Sequence, residues 1–295
     1  MDRRDLARRL QPPPREVILR VVRAALEEDL AWGDATTDSL IPPELSCTGV
    51  LLAKAAGVVA GLPVAEAVFR EVQPDIVFEA AVHDGTTVRP GDILARLQGP
   101  AAGLLRAERV ALNFLQRLSG IATLTRRYVE AVQGTSARIV DTRKTTPGLR
   151  ALEKYAVRAG GGQNHRFCLA DGVLIKDNHI AALASAGVSL REAVARARQQ
   201  TPHSLRVEVE ITRLDQIEDA LAGGADALLL DNMPPPMLRE AVRLVAGRAL
   251  TEASGGITLE TVRAVAETGV DLISVGALTH SAPALDISLE LEYHA

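Results

Sequence analysis

Six short apolar runs, five of them closed by a charged residue and most followed by a helical pattern, constrain this chain more than any other feature. They occupy residues 138–141, 173–176, 205–210, 227–231, 249–252 and 272–275. Helical periodicity fills 147–159, 189–200, 213–222, 235–246 and 259–268. Alternation of this kind predicts a parallel sheet flanked by helices. Asp141, Lys176, Glu210, Asp231 and Glu252 then fall at the carboxyl ends of their strands. In a (β/α) barrel that rim is where the βα loops converge and chemistry is done. A doubly wound open sheet is the other architecture, but no Gly-rich dinucleotide fingerprint follows any of these strands.

The part before residue 138 has a different rhythm. Pro12-Pro13-Pro14 precede Val17, Ile18, Val21, Val22, Ala25 and Leu26, the spacing of a helix with a proline-capped start. Residues 48–99 read as short strands and turns, with Asp84-Gly85 marking one turn. The stretch from His83 to Leu94 has the look of a turn in a lipoyl-type sandwich, although no modifiable Asp-Lys or Met-Lys dipeptide sits there. From Leu104 a helix runs to about Leu118, with Arg106, Arg109, Asn113 and Gln116 on one face, a stripe that is solvated by default. Gly120 is expected to break it from a second helix that reaches Val132.

Charge is unevenly spread. The formal net charge is only −4, which points to no nucleic-acid partner. Between Arg143 and Lys176, seven cations stand against Glu153 and Asp171 alone, an excess of about +5. Loops leaving consecutive strands would bring Arg143, Lys144, His165, Arg166 and Lys176 to the rim, where Arg suits carboxylate and Lys suits phosphate. His165 beside Arg166 is by itself more often structural. Glu210 and Asp231 end adjacent strands and suit Mg²⁺ together with substrate phosphates; the bland alternative is two carboxylates that cap helices. Glu208 shares a strand face with Glu210. Ser254-Gly255-Gly256 and Gly276 with His280 are turns of the last two units, the usual place for a substrate phosphate, with Thr258 as the expected N-cap. Cys47 and Cys168 have no metal-ligand spacing and are too few for a disulfide framework. The charged start has no apolar run behind it, and no segment reaches the ~18 apolar residues that span a bilayer. A soluble cytoplasmic protein without membrane partners is the expectation.

The motifs Asp141-Thr142-Arg143-Lys144-Thr145-Thr146-Pro147-Gly148-Leu149-Arg150, Gly160-Gly161-Gly162-Gln163-Asn164-His165-Arg166, Ile175-Lys176-Asp177-Asn178-His179, Val207-Glu208-Val209-Glu210, Leu229-Leu230-Asp231-Asn232-Met233 and Glu252-Ala253-Ser254-Gly255-Gly256-Ile257 resemble, in order and spacing, the quinolinate phosphoribosyltransferase family. Gly33-Asp34-Ala35-Thr36-Thr37 and Leu118-Ser119-Gly120-Ile121-Ala122-Thr123 extend the resemblance over nearly the whole chain. The acidic-acidic-Gly-Gly-Thr motif of commoner phosphoribosyltransferases is lacking, as in that family.

The resemblance implies an α/β protein: an N-terminal α/β sandwich, residues 1–115 joined by the C-terminal segment 282–295, and an incomplete, open TIM-like barrel over 116–281. It implies transfer of phosphoribosyl from 5-phosphoribosyl 1-pyrophosphate to quinolinate with decarboxylation, giving nicotinate mononucleotide for NAD biosynthesis. Arg143, His165, Arg166 and Lys176 match positions around quinolinate, with Arg109 entering from a partner subunit of a homodimer. Lys144, Glu210 and Asp231 match positions facing ribose, pyrophosphate and Mg²⁺; Thr142 lies in the same motif. Ser254, Gly255, Gly256, Gly276 and His280 match the 5-phosphate cradle. Three rivals stand beside this reading: a paralogue acting on another aromatic acid, a Schiff-base lyase using Lys176, and a sensor that binds the phosphoribosyl donor without turnover.

Overall fold

A computed structural model describes residues 10–294; the charged start, residues 1–9, lies outside the described residues. The chain forms two compact units. One comprises residues 1–126, 145–161 and 277–295, and the other 127–144 and 162–276, whereas the sequence expectation divided the chain at 115/116 and 281/282.

The first unit is built on a four-stranded antiparallel sheet. Its order is β12 (Ile287–His294), β1 (Ser46–Ala53), β5 (Ile93–Pro100) and β3 (Val77–Ala80). β1 alternates exposed and buried residues, the signature of a sheet covered on one face. The chain's last strand pairs along the whole of β1, from Ser46 opposite His294 to Ala53 opposite Ile287. A smaller ribbon joins β2 (Gly57–Val58) to β4 (Thr87–Val88).

Two sequence expectations fail in this unit. Residues 48–99 are not all strand and turn: Leu62–Val72 is a helix. Pro63 lies in its first turn, and the Asp84 carboxylate accepts the N–H groups of Gly61 and Leu62 at 2.8 and 3.1 Å. A carboxylate 22 residues downstream thus caps it, a signal that local periodicity does not carry. Nor does Gly120 break a helix: Ala101–Ala131 is one continuous α-helix of 31 residues. A Cβ on Gly120 would lie 2.0 Å from the Pro283 carbonyl oxygen, so the glycine permits close backbone approach inside the helix. Leu104, Ala107, Ala111, Leu115, Leu118 and Ile121 give that helix a buried stripe at i, i+3, i+4, i+7 spacing, which outweighs one glycine.

The second unit holds six strands in the order β6 (Arg138–Val140), β11 (Leu272–Ser274), β10 (Leu250–Ser254), β9 (Ala227–Asp231), β8 (Val207–Ile211) and β7 (Val173–Ile175). All five pairings are parallel. The order runs round the sheet without a reversal, as in a barrel with one seam left open between β6 and β7. A doubly wound sheet would reverse its order at a switch point. Gln163 forms a parallel bridge to Val140 at that seam. β8 and β9 are buried on both faces until their last residues, as parallel strands require.

The expected helices are present with trimmed ends. The run at 213–222 is a 3₁₀ turn, Leu214–Gln216, followed by Ile217–Ala222. The run at 259–268 is helical only over Val262–Ala266, so Thr258 is not an N-cap; its N–H bonds to the Thr261 hydroxyl, and its carbonyl opens the turn that precedes the helix. An additional helix, Asp177–Ser185, follows β7. None of the described helices is long and apolar enough to cross a membrane.

Candidate active site

At the carboxyl ends of these strands lies a cavity of about 590 Å³. Every strand's carboxyl end sends residues to it: Thr142, Arg143 and Lys144 after β6, Lys176 after β7, Glu210 from β8, Asp231 from β9 with Asn232 after it, Ser254 from β10 with Gly255 and Gly256 after it, and Ser274 from β11. His165 and Arg166 reach it from the loop that bridges the seam. Eleven of the fourteen candidate residues therefore share one cavity, and the acids, cations and glycine turn are gathered by topology rather than by sequence proximity.

The loops are set by their own hydrogen bonds. The Lys144 N–H donates to the Thr142 hydroxyl at 3.0 Å, turning the chain so that Lys144 stays exposed. Lys176 stands at the N-terminus of the helix Asp177–Ser185, and its N–H donates to His179 Nδ1 at 2.9 Å. Gly255 has φ +97°, and a Cβ there would meet Asn232 Oδ1 at 2.1 Å, so only glycine fits this turn. Asn232 itself adopts φ +54°, a region that Asn tolerates better than most residues, and its N–H donates to the Ser254 carbonyl.

The cavity holds charges of both signs. Burial raises the Glu210 carboxyl above its ordinary range, and the nearby negative charges of Asp231 and Asp177 raise it further, while Lys176 opposes this. Burial lowers the Arg166 guanidinium, and the positive charge of Arg143 lowers it further. Acids facing acids want a cation, and guanidinium facing guanidinium wants an anion.

The Arg166 loop rests on buried acids. Asp141, fully buried at the end of β6, accepts the Asn164 side-chain amide at 2.6 Å and the His165 N–H at 2.9 Å. His165 Nδ1 accepts the Arg166 N–H at 2.8 Å, while Nε2 lies 3.0 Å from a Glu208 oxygen and 3.4 Å from a Glu252 oxygen. Burial opposes the charged imidazole, and the nearby acids Glu208 and Glu252 favour it and raise the ring's proton affinity. The ring proton faces those acids on Nε2, and Nδ1 keeps the Arg166 N–H only while it is itself unprotonated. Glu208, Glu252 and Asn232 are not among the sequence-derived candidates. Period-2 alternation put Glu208 beside Glu210, but only burial reveals what it does.

Gly276, His280 and Arg109 do not line this cavity. His280 is exposed, with Nδ1 2.6 Å from the Ser281 hydroxyl. Arg109 and Asn113 are exposed on Ala101–Ala131, whereas the other two residues of the stripe are engaged: Arg106 pairs with Asp38, and the Gln116 side-chain amide donates to the Ile287 carbonyl.

Residues 34–119 match the model of the quinolinate phosphoribosyl transferase N-terminal domain, and residues 121–290 that of its C-terminal domain. The chain is 48% identical over 264 residues to a probable carboxylating nicotinate-nucleotide pyrophosphorylase of Bacillus subtilis, covering 90% of each. It is 46% identical to the carboxylating nicotinate-nucleotide pyrophosphorylase of Mycobacterium leprae, over 92% of this chain and 95% of that one. The crystal structure of NadC from Streptococcus pyogenes superposes with a TM-score of 0.92 at 42% identity, over 97% of this chain and 100% of the other. Both domain models, in order and over most of the length, together with an open barrel whose rim gathers the family motifs, show that this chain belongs to the quinolinate phosphoribosyl transferase family.

Proposed function

We propose that the protein transfers the phosphoribosyl group of 5-phosphoribosyl 1-pyrophosphate to quinolinate with loss of carbon dioxide, forming nicotinate mononucleotide and pyrophosphate. The observation that carries this is one cavity that gathers the acids Glu210 and Asp231 with the cations Arg143, Lys144, Arg166 and Lys176. A paralogue for a neutral or singly charged ring would not need both Arg143 and Arg166 with Lys176. Neither the lyase nor the sensor reading accounts for Glu210 and Asp231.

Arg143, Arg166 and Lys176 suit the two ring carboxylates, with His165 beside them. Lys144 suits the pyrophosphate, and Thr142, Ser254, Gly255 and Gly256 the donor's ribose and phosphate; Gly276 and His280, which the family resemblance adds to the cradle, lie outside the cavity lining. Glu210 and Asp231 fit Mg²⁺, because two mutually repelling carboxylates at one cavity match a cation that takes its other ligands from phosphates. When bound, the ion supplies positive charge to the departing pyrophosphate.

Lys144 stabilises the same charge as the C1–O bond breaks, and Glu210 and Asp231 stabilise positive charge on the ribosyl carbon. The pyridine nitrogen attacks that carbon, held in line by the carboxylate contacts. The quaternised ring then accepts the electron pair of the C2–carboxylate bond; carbon dioxide leaves and C2 takes a proton. Arg109 of the partner subunit completes the acid pocket in a homodimer. The free cysteines Cys47 and Cys168 accord with a cytoplasmic enzyme.

The direct test mixes pure protein with quinolinate, the phosphoribosyl donor and Mg²⁺ and looks for nicotinate mononucleotide. Turnover of nicotinate with none of quinolinate overturns the proposal.

A further inference from the structure

We propose that Glu208 and Glu252 are positioning residues: they clasp the His165 imidazole from below and thereby hold Arg166 at the angle that binds a substrate carboxylate. This rests on the reading of the cavity as an acid-binding site.

Both acids are buried, at 8% and 1% exposure, on β8 and β10. Glu252 is the unusual one: neither of its carboxylate oxygens has a hydrogen-bond partner, and His165 Nε2 at 3.4 Å is its ion-pair contact. A buried carboxylate held by charge alone is costly, and nothing in the packing of β10 asks for one. Groups that cost stability in this way are retained where they serve a site. What Glu252 and Glu208 do together is leave the ring one orientation. With Nε2 facing two acids, Nδ1 is turned to the Arg166 N–H. The same loop is fixed at His165 N–H by Asp141 and at the Arg166 side chain by the Gly172 carbonyl, 2.8 Å from Nη1. With both ring nitrogens engaged, His165 acts on the substrate through Arg166 and not as a donor of its own.

The acids and His165 also line a second cavity of about 650 Å³ toward the strands' amino ends, so the clasp is a septum with solvent space on both sides. Both nitrogens of a ring at such a septum are held by polar partners.

Removing a negative charge beneath a cationic pocket should by itself tighten anion binding. Loss of positioning should weaken it, so the two roles differ in sign. With the full chain, Glu252→Gln and Glu208→Gln are each expected to raise KM for quinolinate about tenfold while kcat changes by less than about threefold. KM for the phosphoribosyl donor and Tm should hold, or Tm rise. In a His165→Ala background either change should add nothing further, since the acids act through that ring. A purely structural role moves Tm and leaves KM. An unchanged or lowered KM, or additivity with His165→Ala, overturns the proposal. Should the wild type neither bind nor turn over quinolinate, the functional reading fails, and the clasp is then decided by ¹⁵N-histidine spectra. The His165 ring signal, identified by its loss in His165→Ala, should show an exchange-protected Nε2–H that Glu252→Gln exposes. Free exchange in the wild type overturns the clasp whatever the substrate.

Discussion

The two units treat buried charge in opposite ways. In the first unit polar groups close on one another. Glu153, fully buried, accepts from Arg117 Nε at 2.9 Å and from the Thr146 N–H at 3.0 Å, and Arg117 also donates to the Thr279 carbonyl. Asp84 accepts from the Tyr155 hydroxyl and two backbone N–H groups. In the second unit like charges lie near one another in the cavity, Glu210 with Asp231 and Arg166 with Arg143, and Glu252 has no hydrogen bond. A closed network specifies a fold; an open one is completed by something else. Substitutions should therefore cost stability in the first unit and activity in the second.

Arg109 is the sharpest way to break that contrast, because it is an exposed arginine of the first unit. Under the shared-site proposal Arg109→Ala reduces activity to background and leaves the fold intact. Co-expressed with Lys176→Ala, it should regain activity, since a heterodimer places both lesions in one site and none in the other. Heterodimers that stay inactive would show that Arg109 does not reach across. The next largest effect is metal removal: a chelator should abolish turnover, and Mg²⁺ restore it. Full rate without metal would remove the role given to Glu210 and Asp231.

Arg117→Ala leaves Glu153 buried without its cation and should destabilise the protein by about 3–5 kcal/mol. Chemical denaturation is the measurement, and a small loss of stability with a large loss of kcat would reverse the contrast. Lys144→Ala should do the opposite, lowering kcat by roughly 10²–10³ with Tm unchanged. A change below about threefold would leave Lys144 a surface charge.

Much of this division was legible in the sequence. Period-2 and 3.6 patterns located all six barrel strands within a few residues, because parallel strands are continuous apolar runs and their polar ends mark the rim. The cationic motif pointed to the cavity because topology delivers consecutive βα loops to one place. What stayed hidden depended on distant partners. Gly120 read as a helix break, since its reason is a carbonyl 163 residues away. The helix Leu62–Val72 was lost among strand signals, since Asp84 caps it from a turn. Glu208 and Glu252 stood inside recognised motifs but were given no role there; burial and the His165 ring give them their meaning.

The smallest effect tests the closed network itself. Burial raises the Asp84 carboxyl above its ordinary value, opposed by the Tyr155 hydroxyl at 2.6 Å and by the Gly61 and Leu62 N–H groups. A carboxyl raised in the folded state favours folding while it is protonated. That contribution is whole below the unfolded pKa and is lost as pH rises through the folded one. Tyr155→Phe removes a bond that favours the ionised form, so the folded value climbs further and the loss on raising pH deepens. The variant should match the wild type most closely well below the unfolded Asp value of about 3.9, where the carboxyl is protonated folded and unfolded, and fall behind by about 1.5–3 kcal/mol at neutral pH, the value of a hydrogen bond to a charged group. Because only the difference between the two proteins is read, other titrating groups cancel. Denaturant unfolding at several pH values gives the curve. A gap that is flat with pH would mean that the hydroxyl contributes packing alone, and one that widens toward acid would mean that the hydroxyl favours the protonated carboxyl over the ionised one, the reverse of the role given to it here.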